Sequence, residues 1–268
     1  MKILLIGDVI GRPGRAAVAR CVVPLREERA VDLVVVNCEN AAGGAGVTPA
    51  VADELFRAGA DVLTSGNHVW RKREALELLK LDHRVLRPAN YPNGAPGSGS
   101  TIVETLGGQK VGILNVMGRV FMEALDCPFR TAERELARLA LVTPVIIVDM
   151  HAEATSEKVA MGWFLDGKVS CVFGTHTHIP TADERILPKG TAFITDVGMT
   201  GPYDSVIGRR VDQILERFLT SLPHKSDVAE GNIQLRALLV EVNPTTGKAV
   251  SVERITRTLD GPVSGSGD

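Results

Sequence analysis

The chain has 268 residues, 44% of them hydrophobic, with a formal net charge of −2 and aromatics at only 4%. That size and apolar content suffice for a large core. The near-neutral balance argues against a dedicated duplex-DNA binder, and the scarcity of aromatics argues against a single-strand stacking platform.

Ile3 to Ile6 is a continuous apolar run closed by Gly7-Asp8, the pattern of a strand covered on both faces. It is too short before its first charge to be a signal peptide. No later run approaches the ~20 residues of a membrane span, so a cytoplasmic protein without membrane contact is expected. Gly11-Arg12-Pro13-Gly14 turns the chain into a helix from Arg15 to about Arg29, which Pro24 should kink or divide. Leu33 to Val36 reads as the next strand, ending in Asn37-Cys38-Glu39-Asn40 and followed by the glycine-rich Gly43-Gly44-Ala45-Gly46.

Thr48-Pro49 opens a helix with a capping hydroxyl and a proline at the first helical position, and Gly59 closes it. Val62-Leu63-Thr64 is a short strand ending in Ser65-Gly66-Asn67-His68, with a helix expected from Arg71 to Lys80 and loop from Pro88 to Ser100. Thr101 to Glu104 and Val111 to Asn115 read as a hairpin about Gly107-Gly108. A helix over Thr131 to Leu141 precedes a strand over Val145 to Val148, which ends in Asp149-Met150-His151. Helix from about Thr155 to Leu165 leads to a strand over Val169 to Phe173 and then Gly174-Thr175-His176-Thr177-His178. Ala192 to Thr195 and Gln234 to Val242 read as strands, with Val206 to Leu219 mainly helical. The tail 261–268 is small and polar, which predicts disorder.

Strands alternating with helices make this an α/β chain. The hairpins add antiparallel pairing, so a mixed sheet, or two sheets packed together, is expected within one domain over residues 1–260. Cys21, Cys38, Cys127 and Cys171 form no Cys-x-x-Cys pair, so reduced, packed thiols are expected.

The strand ends are the informative feature. Asp8, Glu39-Asn40, Asn67-His68, His151 and the pair His176 and His178 each terminate a strand, and sites in α/β sheets form at such carboxyl ends. Four of the six histidines fall in these positions. In extended backbone His176 and His178 project to one side and can reach one metal ion or two adjacent ones. Singly, each residue has an ordinary structural explanation; together they indicate a metal centre. His83 and His224 lie in charged, surface-like segments outside it. Arg119, Asp149 and Asp196 are weaker candidates, for phosphate or base contact, for orienting His151, and for bordering the same edge. The Gly43–Gly46 run lacks the lysine and hydroxyl of a P-loop and reads as a rim.

The ordered set Gly7-Asp8, Cys38-Glu39-Asn40, Gly66-Asn67-His68, His151 and Gly174-Thr175-His176-Thr177-His178 resembles the calcineurin-like metallophosphoesterases. It departs from them in having Ile10 where an Asp-x-His motif has its histidine, and Glu39 in place of the bridging aspartate. Met1 to Arg15, Asn37 to Gly44 and Thr195 to Pro202 are similar to a narrower group, the bacterial YmdB-type family. The resemblance implies a two-sheet sandwich flanked by helices in four layers. It also implies phosphodiester hydrolysis at a two-metal site, iron favoured with manganese or zinc as alternatives, and 2′,3′-cyclic nucleotides as substrates.

Carried over residue by residue, one metal takes Asp8, Glu39, Asn40 and His178, and the other takes Glu39, Asn67, His151 and His176. Asn40 would fill the vacancy left at Ile10. A hydroxide activated by the paired metals would attack in line, with His68 as proton donor to the leaving oxygen. The expected partner is therefore a small cyclic nucleotide or another phosphodiester, with 3′,5′-cyclic esters as the second choice, and assembly into a homo-oligomer is left open. The rival readings are a phosphomonoesterase or RNA-end nuclease with the same centre, and a metal-binding regulatory protein that acts through partners.

Overall fold

A computed structural model describes residues 1–259; Asp260 and the tail 261–268, expected to be disordered, lie outside the described residues. The chain runs β1 (Lys2–Ile6), α1 (Gly11–Arg29), β2 (Leu33–Asn37), α2 (Pro49–Arg57), β3 (Val62–Thr64), α3 (Ala75–Leu81), β4 (Ser100–Glu104) and β5 (Lys110–Met117). It continues through α4 (Pro128–Leu139), β6 (Ile146–His151), α5 (Thr155–Leu165), β7 (Cys171–Thr175), β8 (Arg185–Ile186), β9 (Ala192–Ile194), β10 (Gly201–Pro202), α6 (Val211–Thr220), β11 (Ile233–Val242) and β12 (Ala249–Thr258).

Two six-stranded mixed sheets result. In the first, β1, β2 and β3 run parallel, β11 pairs antiparallel with β1, and β12 and β10 both pair with β11. The second has the order β4-β5-β6-β7-β9-β8, parallel through β5, β6, β7 and β9 and antiparallel at its two ends.

Alternation along the strands sorts the apolar residues into three layers of core. Ile3, Leu5, Leu33 and Val35 face the other sheet, where Ile113, Ile147, Cys171 and Phe173 meet them. Leu4, Ile6, Val34 and Val36 turn the other way, onto Val18, Val22, Leu25 and Leu55 of α1 and α2. On the far side, Leu114, Ile146, Val148 and Val172 pack against Leu136, Leu139, Met161 and Leu165 of α4 and α5. The order is helix, sheet, sheet, helix. Both faces of the central strands are covered, which explains why β1, β2, β6 and β7 read as unbroken apolar runs.

Several boundaries differ from expectation. α1 starts four residues early and passes through Pro24 as one helix. α3 begins only at Ala75, because residues 67–74 are turns that carry Asn67 and His68 to the sheet edge. Residues 206–210 form a tight loop closed by a Val206–Arg209 bridge, so α6 is confined to Val211–Thr220. α2 is capped as its sequence predicts, with the Thr48 hydroxyl accepting from Val51 N–H at 3.3 Å. All four cysteines are free thiols. Among the described residues, no helix is long and apolar enough to cross a membrane.

Candidate metal centre

The carboxyl ends of β1, β2 and β3 and those of β6 and β7 meet at one edge of the sandwich. Asp8, Glu39, Asn40, Asn67 and His68 follow the first three strands; His151 ends β6, and His176 and His178 follow β7. Two clusters form there. The candidate ligand atoms of Glu39, His151 and His176 lie within 4.8 Å of one another, and so do those of Asp8, Glu39 and His178. Glu39 belongs to both. Asp8, Glu39, Asn40 and His151 are buried, whereas Asn67, His68, His176 and His178 are half-buried.

Close approach of the strand ends depends on Gly66. A Cβ there would lie 2.1 Å from His151 Nε2 and 2.2 Å from a Glu39 carboxylate oxygen. No other residue fits.

His151 Nε2 is the test of what this pocket is built to hold. It lies 3.1 Å from Glu39 Oε2, 3.1 Å from Asn67 Oδ1 and 3.1 Å from His176 Nδ1. One ring proton can satisfy only one of these partners, so lone pairs are left facing one another. A cation between them would accept all of them. The tautomer supports this. Parallel register places His151 beside Thr175, and His151 Nδ1 lies 2.9 Å from Thr175 Oγ1. The Thr175 hydroxyl donates to Asp149 Oδ1 at 2.7 Å, so it accepts from Nδ1–H, and the Nε2 lone pair is turned to the centre. Asp149 also accepts from Asn37 Nδ2 at 3.0 Å and from Thr64 Oγ1 at 2.5 Å. It therefore orients His151 through Thr175 rather than by direct contact.

The charge balance agrees. Burial pushes the Asp8 carboxyl up, with His178 and His151 partly opposing it. Burial acts on Glu39 in the same direction, but the His151 imidazole and His68 outweigh it and hold Glu39 well below the usual carboxylate range. Burial pushes His151 down, yet Glu39, Asp8 and Asp149 carry it up to about 9. His176 is pushed down to about 3 by burial and then by the charge on His151. The positive charge that these buried carboxylates call for is met by a proton on His151 or by a metal ion that would displace that proton and take the Nε2 lone pair. Oxygen and imidazole donors in this mixture suit iron, manganese or zinc better than calcium or magnesium.

The histidine pair does not use the strand pleat. β7 ends at Thr175, and His176 and His178 sit in left-handed backbone at φ +95° and +68°, conformations that cost a non-glycine residue about 1–3 kcal/mol each. Three anchors hold them. His176 N–H donates to Asp8 Oδ2 at 3.1 Å, and His178 Nδ1 lies 3.0 Å from Ile207 O. Between them, Asp196 Oδ2 accepts from Thr177 N–H at 3.2 Å, from Thr177 Oγ1 at 2.6 Å and from the buried ammonium of Lys158 at 2.6 Å. This loop, not a shared strand face, sends the two imidazoles to different clusters.

The other candidates divide. Asn40 Nδ2 lies 3.1 Å from His178 Nε2 and 3.2 Å from Glu39 Oε1, while its Oδ1 lies 2.8 Å from His68 Nδ1. Ile10 is buried beneath the loop carrying Gly201 and Gly208, which accounts for an apolar residue at that position. Arg119 is exposed, with only its backbone N–H held, by Glu157. The Gly43–Gly46 run is pinned by Arg209, which donates to Gly44 O at 2.6 Å. His224 pairs with Glu216 at 3.2 Å on the surface. Sequence reasoning missed Thr175 and Lys158. Thr175 stood in plain view, a hydroxyl inside the glycine-histidine motif. Lys158 carried no signal, since a helical lysine is ordinarily solvated.

Two sheets packed face to face, with acidic, amide and imidazole side chains converging at the ends of their parallel strands, define a metallophosphoesterase-type fold. The chain belongs to the YmdB-like protein family, which it matches over residues 4–255. It is 48% identical over 255 residues to the 2′,3′-cyclic-nucleotide 2′-phosphodiesterase of Bacillus subtilis (strain 168), covering 95% of this chain and 96% of that one. Among solved structures, a hypothetical protein from Thermus thermophilus superposes with a TM-score of 0.91 at 42% identity, covering 96% of this chain and 99% of the other. A phosphatase from Mycoplasma pneumoniae superposes with a TM-score of 0.90 at 35% identity, covering 96% of this chain and 93% of the other.

Proposed function

We propose that this protein is a two-metal phosphodiesterase acting on small cyclic nucleotides, 2′,3′-cyclic esters first, and that residues 1–260 work as one domain. The observation that carries the reading is the pair of ligand clusters sharing Glu39, one of them built around His151 Nε2 at 3.1 Å from three other donors. Support for the substrate class comes from the family and from the Bacillus subtilis relative's name.

In this reading Asp8, Glu39, Asn40 and His178 would hold one ion, and Glu39, Asn67, His151 and His176 would hold the other, with iron favoured over manganese or zinc. Two such ions together supply charge stabilisation at the phosphoryl oxygens and a water activated for attack near neutral pH. The residues do the rest. Glu39 fixes the spacing of the clusters, and the Asp149–Thr175 pair keeps the His151 lone pair turned inward. Asn40 would reach that ion through its amide oxygen, which requires the amide to be turned about from the orientation that places Oδ1 2.8 Å from His68 Nδ1. Its NH2 would then face His68 Nδ1. His68 then presents Nε2–H to the leaving oxygen of the ester. Relief of ring strain in a 2′,3′-cyclic ester lowers the demand on that proton.

Turnover of bis-p-nitrophenyl phosphate against the mono-ester, followed by a panel of 2′,3′- and 3′,5′-cyclic nucleotides, tests the reading. Faster hydrolysis of the diester and of 2′,3′-cyclic nucleotides is expected. Preference for the mono-ester would contradict it.

A further inference from the structure

Between β5 and α4 the chain passes along the open side of the centre, where Phe121 bears two energetic costs at once. Its backbone is left-handed at φ +60°, and its side chain is 90% exposed. The backbone conformation is strained for a non-glycine residue, and an aromatic ring left in water forgoes the stabilisation of burial. Packing among the described residues repays neither cost.

The segment around it is firmly built. Gly118 N–H donates to His151 O at 2.9 Å. Arg119 and Val120 N–H donate to the buried carboxylate of Glu157 at 3.2 and 3.3 Å. On the other side, Met122 Sδ accepts from Glu153 N–H at 3.3 Å, and Tyr91 OH donates to Glu123 Oε2 at 3.2 Å. These anchors flank Phe121 and leave its ring projecting over a cavity of about 460 Å³ lined by Asn67, Phe121, Met122, Glu123 and His176. A cavity of that size suits a nucleoside-sized ligand. Two of its walls, Asn67 and His176, belong to the candidate centre.

From this placement we infer that Phe121 is the stacking face for the base of the nucleotide, with Met122 and Glu123 bounding the base subsite. The inference rests on the cyclic-nucleotide reading and deepens it. With the phosphate at the strand ends, the base extends outward across the cavity to the ring. Stacking on an aromatic side chain tolerates any base, because each has a π-face. The subsite therefore selects base-bearing esters over abasic ones.

The test compares metal-loaded wild type, F121A and F121W on 2′,3′-cyclic AMP and on methyl ribofuranoside 2′,3′-cyclic phosphate, which lacks a base. In wild type, kcat/KM should favour the nucleotide. F121A should shrink that ratio about tenfold, as loss of one stacked base implies, through KM for the nucleotide, and F121W should restore it. An unchanged ratio in F121A, or equal losses on both esters, would overturn the inference. Calorimetric binding of 3′-AMP against ribose 3-phosphate gives a readout independent of turnover. If the abasic ester is hydrolysed but wild type shows no preference for the base, the subsite falls and the diesterase reading stands. If neither ester is hydrolysed, the diesterase reading falls, and the difference in 3′-AMP binding between wild type and F121A still decides the stack.

Discussion

On the side of the centre supplied by β6 and β7, His151 is fully buried and its ring is locked by Thr175 and Asp149, with His176 as a second imidazole. At the other cluster, where Asp8 and Glu39 from the ends of β1 and β2 meet His178 from the loop after β7, His178 is the one imidazole. It is half-buried, and its other nitrogen leans on the carbonyl of Ile207, itself at φ +46° in a surface loop. Position 10, where a histidine would supply a further donor, holds Ile10, packed away in the core. One half is set into a buried hydrogen-bonded column; the other hangs on a turn. Rigid anchoring of ligands through a second layer of hydrogen bonds raises metal affinity, so the two ions should differ in how firmly they are held.

Glu39 should erase that difference altogether. Because it belongs to both clusters, E39Q should lose both ions and all diesterase activity, read by elemental analysis beside turnover. Retention of one ion would mean that the clusters are independent.

His68 stands outside the contrast. H68A should keep both ions while losing activity on 3′,5′-cyclic esters by roughly 10²- to 10⁴-fold, the usual span for a positioned proton donor. The loss should be smaller on strained 2′,3′-cyclic esters. Equal losses on the two esters would remove His68 from the leaving-group side.

Disturbing the rigid half gives the smallest and most selective effect. D149N should weaken metal binding by about 10- to 100-fold, as loss of an outer hydrogen-bond partner does, and only at the His151 cluster. Titration of metal-free protein with manganese should then show the weaker of two sites reversed relative to wild type.

How much of this was legible in the sequence follows from where the information is stored. Strands covered on both faces announce themselves as apolar runs, and their ends carried Asp8, Glu39, Asn40, Asn67, His68, His151, His176 and His178 to one edge, where the structure gathers all eight. β12 escaped notice because most of its residues are exposed, so it has no apolar alternation and owes its form to pairing with β11. α3 begins later than its sequence suggests because residues 71–74 look helical but are spent on turns. His176 and His178 fall in different clusters as expected, but not by the strand pleat: a period of two holds only while the backbone stays extended, and here Lys158 and Asp196, distant in sequence, hold Thr177 and bend the chain. Phe121 was invisible as a site residue, since only its exposure and backbone sign distinguish it.

Elemental analysis of wild type and H178A, each purified without added metal, tests the central claim most directly. Two unequal halves sharing Glu39 require about two ions per chain in wild type and about one in H178A, with the remaining ion at the His151 cluster. A single ion in wild type, or an unchanged count in H178A, would contradict it.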